Sequence, residues 1–181
     1  MKDIYVVFPT SADIKGDTTD SKHATEKAIE VSTWAHKIYQ PKSSTASSAG
    51  GHTAERTEHG EMIFTKDIDN ASPKLWQASS AGTYYNTVVI YFYRSLGGVN
   101  TTSTSNNTGT SKTRVNYLKI ELKDVVVSSV TTNVGEGELP TETFGLKYSA
   151  VKWTYTTAKV DGTTATGAVG SWNLKKNDTS F

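Results

Sequence analysis

Apolar positions in the second half of this 181-residue chain recur with the two-residue period of β-strands. Residues 87–94 (TVVIYFYR) are nearly all β-branched or aromatic, side chains that suit a pleated surface. Val88, Ile90 and Phe92 fall on one face, and Val89, Tyr91 and Tyr93 on the other. A strand apolar on both faces is covered twice, either inside the subunit or by a neighbour. Residues 117–130 start in alternation, Leu118, Ile120 and Leu122 against Lys119, Glu121 and Lys123, then merge into the run Val125, Val126, Val127. From Phe144 the apolar phase runs through Leu146, Tyr148 and Ala150, then slips by one to Val151, Trp153 and Tyr155. That slip predicts a β-bulge at Ala150 and Val151. Gly135-Glu136-Gly137 marks the turn between these two long strands, and a last strand near residues 170–174 closes the set.

One helix is signalled. Ser72 offers a capping hydroxyl, Pro73 sits in the first turn where its missing amide costs nothing, and Gly82 supplies the stop. Residues 74–81 then form a short helix, marginal unless packed on the sheet. Residues 24–39 read two ways. Val31, Trp34, Ala35, Ile38 and Tyr39 fit helical spacing, while Ile29/Val31 and Trp34/Ile38 also fit two short strands joined near Ser32 and Thr33. Residues 41–51 (PKSSTASSAGG) and 100–113 (NTTSTSNNTGTSKT) carry no apolar period. The first reads as a loop and the second as a flexible hairpin tip.

Composition narrows the class. Hydrophobic residues make up 35% and aromatics 10%, so a single domain over residues 1–181 has enough apolar mass for a core. A formal net charge of +1 is not the basic face of a nucleic-acid binder. With no cysteine, disulfides, thiolate metal sites and Cys nucleophiles are excluded. No stretch reaches the roughly 20 apolar residues of a membrane helix, and the start of the chain reads as no secretory signal, so cytoplasmic synthesis without a cleaved leader is expected.

Candidate chemistry is sparse. His52, Glu55, Glu58 and His59 are zinc-ligand types within eight residues, but the two histidines are seven apart and on an extended chain point to opposite faces. A polar strand entry or an inter-subunit contact is the competing reading. No G-x-S-x-G elbow frames a serine nucleophile, and neither Gly50-Gly51 nor Gly97-Gly98 continues as a phosphate loop. His23 reads as an exposed loop histidine and His36 as a sheet-surface one. The four tryptophans read as core and interface filler or, if exposed, as a sugar-stacking platform. No catalytic, cofactor or metal residues are assigned, and no enzyme activity is expected.

In order along the chain, the opening MKDIYV, Val31-Ser32-Thr33-Trp34, Ile38-Tyr39-Gln40-Pro41, residues 52–59 (HTAERTEH), Phe64-Thr65-Lys66-Asp67-Ile68-Asp69 and Ala71-Ser72-Pro73-Lys74-Leu75-Trp76 resemble one family. Residues 122–130 (LKDVVVSSV), 140–148 (PTETFGLKY) and 151–155 (VKWTY) complete the pattern. The chain resembles the haemolysin-coregulated protein (Hcp) family of bacterial type VI secretion. The resemblance implies a mainly β, compact two-sheet β-barrel-like fold with one short α-helix packed alongside. It implies homo-hexameric rings that stack into a tube, with sheath and spike proteins of the secretion machine and small effector proteins in the lumen as partners. It also implies release into the extracellular space or a target cell, without membrane insertion.

An extended loop at 41–53 resembles the family's ring-to-ring contact, so Gln40, Pro41, Lys42, Thr45, Gly50, Gly51 and His52 are carried over as ring-stacking candidates. Val89, Tyr91 and Tyr93 are the candidate subunit interface. The insertion at 100–113 departs from the family pattern. Two competing classes stand beside this reading. One is a monomeric β-sandwich binding module for carbohydrate or protein; the other is a metallohydrolase built on His52, Glu55 and His59.

Overall fold

A computed structural model describes residues 3–41, 56–95, 114–135, 139–158 and 164–181. Eleven strands and one helix follow in order: β1 (Asp3–Val7), β2 (Ile29–Val31), β3 (Thr33–Ala35), β4 (Ile38–Tyr39), β5 (Glu58–His59), β6 (Met62–Asp67), α1 (Ser72–Ala81), β7 (Tyr84–Ser95), β8 (Arg114–Asn133), β9 (Thr141–Lys147), β10 (Ala150–Ala158) and β11 (Thr164–Asn173). The fold is mainly β, as expected. Nine strands form one antiparallel sheet along the path β2-β1-β7-β8-β9-β6-β3, with β10 and β11 continuing from β8, while β4 and β5 pair with each other alone.

The two ends of that path, β2 and β3, are consecutive in the chain with Ser32 between them. One extended segment therefore pairs with β1 through its first half and with β6 through its second. The Ser32 amide donates to the Thr65 carbonyl at 2.8 Å, which draws the two sheet ends together. The sheet curls into a barrel-like form without a continuous hydrogen-bonded seam. For residues 24–39 the strand reading holds, because each half of 29–35 completes a sheet ladder that a helix would leave open.

The core lies inside the curl. Ile4, Val6, Val88, Ile90, Ile120 and Leu122 from β1, β7 and β8 meet Phe64 and Phe144 from β6 and β9, whose rings stack at 5.2 Å. The merging of the valine run has a structural cause. Asp124 takes a left-handed φ of 48°, so β8 changes phase there, and Leu122 and Val125 both point inward. On one side β8 pairs with β10 up to Lys123, and from Val126 onward it pairs with β9. The predicted bulge at Ala150 and Val151 is corrected to a strand break. Tyr148 and Ser149 separate β9 from β10, and the phase slips because the chain leaves one partner region of β8 for the other. Register shifts occur instead at Phe92/Tyr93, Val127/Ser129 and Thr154/Thr156.

Helix α1 begins at Ser72 with Pro73 in its first turn and ends at Gly82, whose φ of 62° turns its amide back to the Ala78 carbonyl. The expected cap is corrected: Ala71 occupies the cap position, and the Ser72 hydroxyl is buried in a polar cluster. Alternation puts Lys66 on the inward face of β6 with Met62 and Phe64, and Glu142 on the inward face of β9 with Phe144 and Leu146. The two are direct cross-strand partners, each 1% exposed, with Nζ 2.7 Å from Oε1. Lys66 also donates to Asp69 Oδ1 (2.6 Å), Ser72 Oγ and the Asp67 carbonyl. Glu142 accepts the Ser72 hydroxyl at 2.7 Å and the Trp76 indole N–H at 2.8 Å. The cluster pins α1 to the sheet.

Candidate assembly surface

Two places outside the core carry the residues that the sequence marks for assembly. The first is the second face of β1 and β7. Residues 16–28 cross it as a strap, tied at its ends by the Gly16 amide donating to the Lys27 carbonyl at 2.8 Å. Beneath the strap Tyr5, Val7 and Tyr93 join Ala28 of the strap in a small apolar cluster of their own, with Tyr91 partly buried against it. His23 is its keystone, so the expectation of an exposed loop histidine is corrected: the residue is 4% exposed. Its ring stacks on Tyr5 at 4.8 Å and lies 4.9 Å from Tyr91. Nε2 is 2.8 Å from the Tyr93 hydroxyl and Nδ1 3.0 Å from Glu26 Oε2.

Arg114, at the start of β8, joins the strap to the sheet. Its guanidinium lies 4.3 Å over the Tyr93 ring, donates to Asp3 Oδ2 and the Tyr5 hydroxyl at 3.2 Å each, and pairs with Asp20 at 2.7 Å. Burial works to raise the Asp20 carboxyl. The Lys22 amide and the Arg114 charge outweigh it and hold the group below the usual carboxylate range. Burial pushes the Tyr5, Tyr91 and Tyr93 hydroxyls up. Both faces of β7 are therefore covered within the subunit. Of the three interface candidates, Val89 and Tyr93 are buried and Tyr91 keeps accessible surface, with the Lys119 ammonium 5.9 Å over its ring.

The second place is the arm made by β4 and β5, where Ile38 pairs with His59 and Tyr39 with Glu58. On it Ile38 (45% exposed) and Tyr39 (44%) both stay near half exposure. Gln40 is exposed and Pro41 partly so, while Lys42, Thr45, Gly50, Gly51 and His52 lie outside the described residues. So does Glu55, and among the described residues no group of three or more His, Cys, Asp or Glu could hold a metal. Residues 100–113 likewise lie outside them; β7 and β8, which that stretch joins, are paired up to Ser95 and Arg114.

The arm rests on the body through a pair of imidazoles. His59 Nδ1 is 2.8 Å, and His36 Nε2 2.9 Å, from the hydroxyl of Tyr148, which sits in the break between β9 and β10. The expectation of a sheet-surface histidine at His36 is corrected: it lies just past the end of β3, half-buried, and is bonded to Tyr148. Burial holds both imidazoles below their ordinary value, with His59 adding to the effect at His36, and raises the Tyr148 hydroxyl well above the usual tyrosine range. Nothing local in the sequence places Tyr148 between two histidines more than 85 residues away from it.

A curled, mainly β body with one packed helix is the fold seen in solved type VI secretion proteins. A structure of a type six secretion system protein matches with a TM-score of 0.77 at 23% identity, covering 98% of this chain and 99% of that one. Hcp1 from Salmonella typhimurium matches with a TM-score of 0.68 at 24% identity, covering 97% of each chain. In sequence, protein hcp1 of Pseudomonas aeruginosa is 34% identical over 173 residues, 94% of this chain and 96% of that relative. The profile of the type VI secretion system effector Hcp family matches residues 8–155. The chain belongs to the Hcp family, the tube proteins of type VI secretion. Among the described residues no helix is long and apolar enough to cross a membrane.

Proposed function

We propose that this chain is the subunit of a homo-hexameric ring whose copies stack into the inner tube of a type VI secretion machine. On this reading the tube leaves the cell with its spike, driven by the sheath, and carries small effector proteins in its lumen. The observation that carries the proposal is the β4–β5 arm. It pairs with no strand of the main sheet, yet keeps Ile38 and Tyr39 near half exposure where the chain runs into Gln40 and Pro41. Apolar surface held out on a separate strand pair is what a contact with another ring uses. Gln40, Pro41, Lys42, Thr45, Gly50, Gly51 and His52 extend that contact.

Within a ring, identical head-to-tail contacts close by rotation. Tyr91 is where the second face of β7 meets the neighbour, beside the buried Val89 and Tyr93, and Tyr93 holds the strap through its hydrogen bond to His23. A near-neutral chain accepts varied cargo without a shaped pocket. Light-scattering mass and negative-stain electron microscopy test the reading: six times the 19.6 kDa chain, as open six-fold rings, is expected. Tyr91→Asp is expected to disperse rings to monomers, and Ile38→Asp to leave rings that no longer stack. A wild-type monomer at every concentration refutes the assembly; intact rings in Tyr91→Asp refute the interface.

A further inference from the structure

Two imidazoles meeting on one phenol leave a specific proton count. The Tyr148 hydroxyl has one proton, given to one imidazole nitrogen, and its oxygen accepts an N–H from the other. With both histidines neutral every group in the bridge is satisfied. A first added proton goes to the far nitrogen of the donating imidazole and changes no hydrogen bond. A second must turn the accepting nitrogen into a donor. Both rings then aim N–H groups at the Tyr148 oxygen, and the phenolic proton has no acceptor within the bridge. The rings, whose centroids are 6.1 Å apart, now also carry like charges.

We infer that this His36–Tyr148–His59 bridge is a proton-sensitive latch that holds the β4–β5 arm to the body when neutral and releases it when the second imidazole is protonated. The surroundings offer little compensation. On the arm itself the Lys37 ammonium lies over the Tyr39 ring at 5.2 Å, and Glu58 pairs in register with Tyr39. Just before β6, the Glu61 carboxylate accepts from Ser129 of β8 and pairs with Lys147 of β9. From β3 and β10 the faces presented are the Trp34 and Trp153 rings, 6.4 Å from His36 and 6.3 Å from His59. Beyond them Arg56 donates to the Lys175 carbonyl, and Lys175 pairs with Asp124. Among the described residues no carboxylate contacts either imidazole. Burial already disfavours the charged form of both rings, so the latch opens below their ordinary range.

The consequence for assembly rests on the stacking role proposed above: acid loosens the arm, and with it the contact between rings. Amide hydrogen exchange on the full-length protein between pH 7.5 and 4.5 tests the latch, corrected for intrinsic rate. The reporter is the Gly60 amide, which donates to the Lys37 carbonyl at 2.8 Å across the base of the arm. Wild type is expected to lose about tenfold in protection there for each pH unit over which the second imidazole titrates, while amides of β7 and β8 stay protected. His36→Gln/His59→Gln keeps hydrogen-bonding groups at both positions and is expected to give a flat profile. Tyr148→Phe, which removes the bridging atom, is expected to show low protection already at pH 7.5. A flat wild-type profile, or an unchanged acid loss in either variant, overturns the latch. Ring mass measured on the same samples reads the assembly proposal separately, since protection at Gly60 decides the latch whether or not rings form.

Discussion

Replacing Lys66 with methionine keeps the stem of the side chain and removes the ammonium from a site that is 1% exposed. Glu142, equally buried, would then keep the Ser72 hydroxyl and the Trp76 indole as donors but lose its counter-charge. Breaking a buried ion pair from one side costs about 3–5 kcal/mol, mostly because an uncompensated charge is left behind. Losing the bonds from Nζ to Asp69 and Ser72 places Lys66→Met toward the upper part of that range. For a chain of this size that lowers Tm by roughly 10 °C or more. Lys66→Met/Glu142→Leu removes both charges, and the two changes together are expected to cost at least about 1 kcal/mol less than the sum of the single ones. Urea unfolding followed by tryptophan fluorescence, at fixed protein concentration because any oligomer adds to apparent stability, reads all four corners of the cycle. Loss of less than about 1 kcal/mol in Lys66→Met, or strict additivity in the cycle, would refute the claim that this pair holds α1 to the sheet.

Gly16→Ala is expected to unseat the strap, since a Cβ there would overlap the Ala28 carbonyl, at a cost of about 1–3 kcal/mol. Gly82→Ala meets no neighbour and is expected to cost about 1 kcal/mol through its left-handed φ alone, so urea midpoints should rank the two. At high pH the buried tyrosines oppose folding. The hydroxyls of Tyr5, Tyr91, Tyr93 and Tyr148 are raised above the unfolded value of about 10, so their contribution is complete below that pH and is lost as pH rises through and beyond it. A thermal midpoint unchanged between pH 8 and 11 would contradict this.

How much of this was legible depends on how far apart the partners lie. Alternation in residues 87–94 and 117–130 revealed β7 and β8, because each strand carries its own inward and outward faces. The same rule could have found Lys66 and Glu142: each is a charge in phase with inward apolar residues, Met62 and Phe64 in one case and Phe144 and Leu146 in the other. What hid the pair was the β6–β9 partnership, which joins segments some 75 residues apart. His23 was misread for the same reason. Its local neighbours are polar, and the Tyr5, Tyr91 and Tyr93 rings that bury it come from two other strands. The one-residue slip between Ala150 and Val151 was visible, but a bulge and a strand break produce the same slip, and the tie between them is broken by which part of β8 each segment pairs with.

Three described segments outside the main sheet, α1, the strap and the arm, are each fastened to it by a polar cluster of long sequence reach. Lys66 and Glu142 hold α1, His23 and Arg114 hold the strap, and Tyr148 holds the arm. The sheet itself is held by apolar side chains in its curl. The difference follows from area. A ten-residue helix or a two-residue strand buries too little apolar surface to fix its own position, so directional bonds set its place. Substitutions in the strap and arm clusters should therefore shift those appendages before they unfold the barrel. A variant defective in assembly while keeping a normal β-sheet circular dichroism spectrum is the expected signature of damage at His23, Arg114 or Tyr148, and a core substitution such as Phe64→Ala should lose both together.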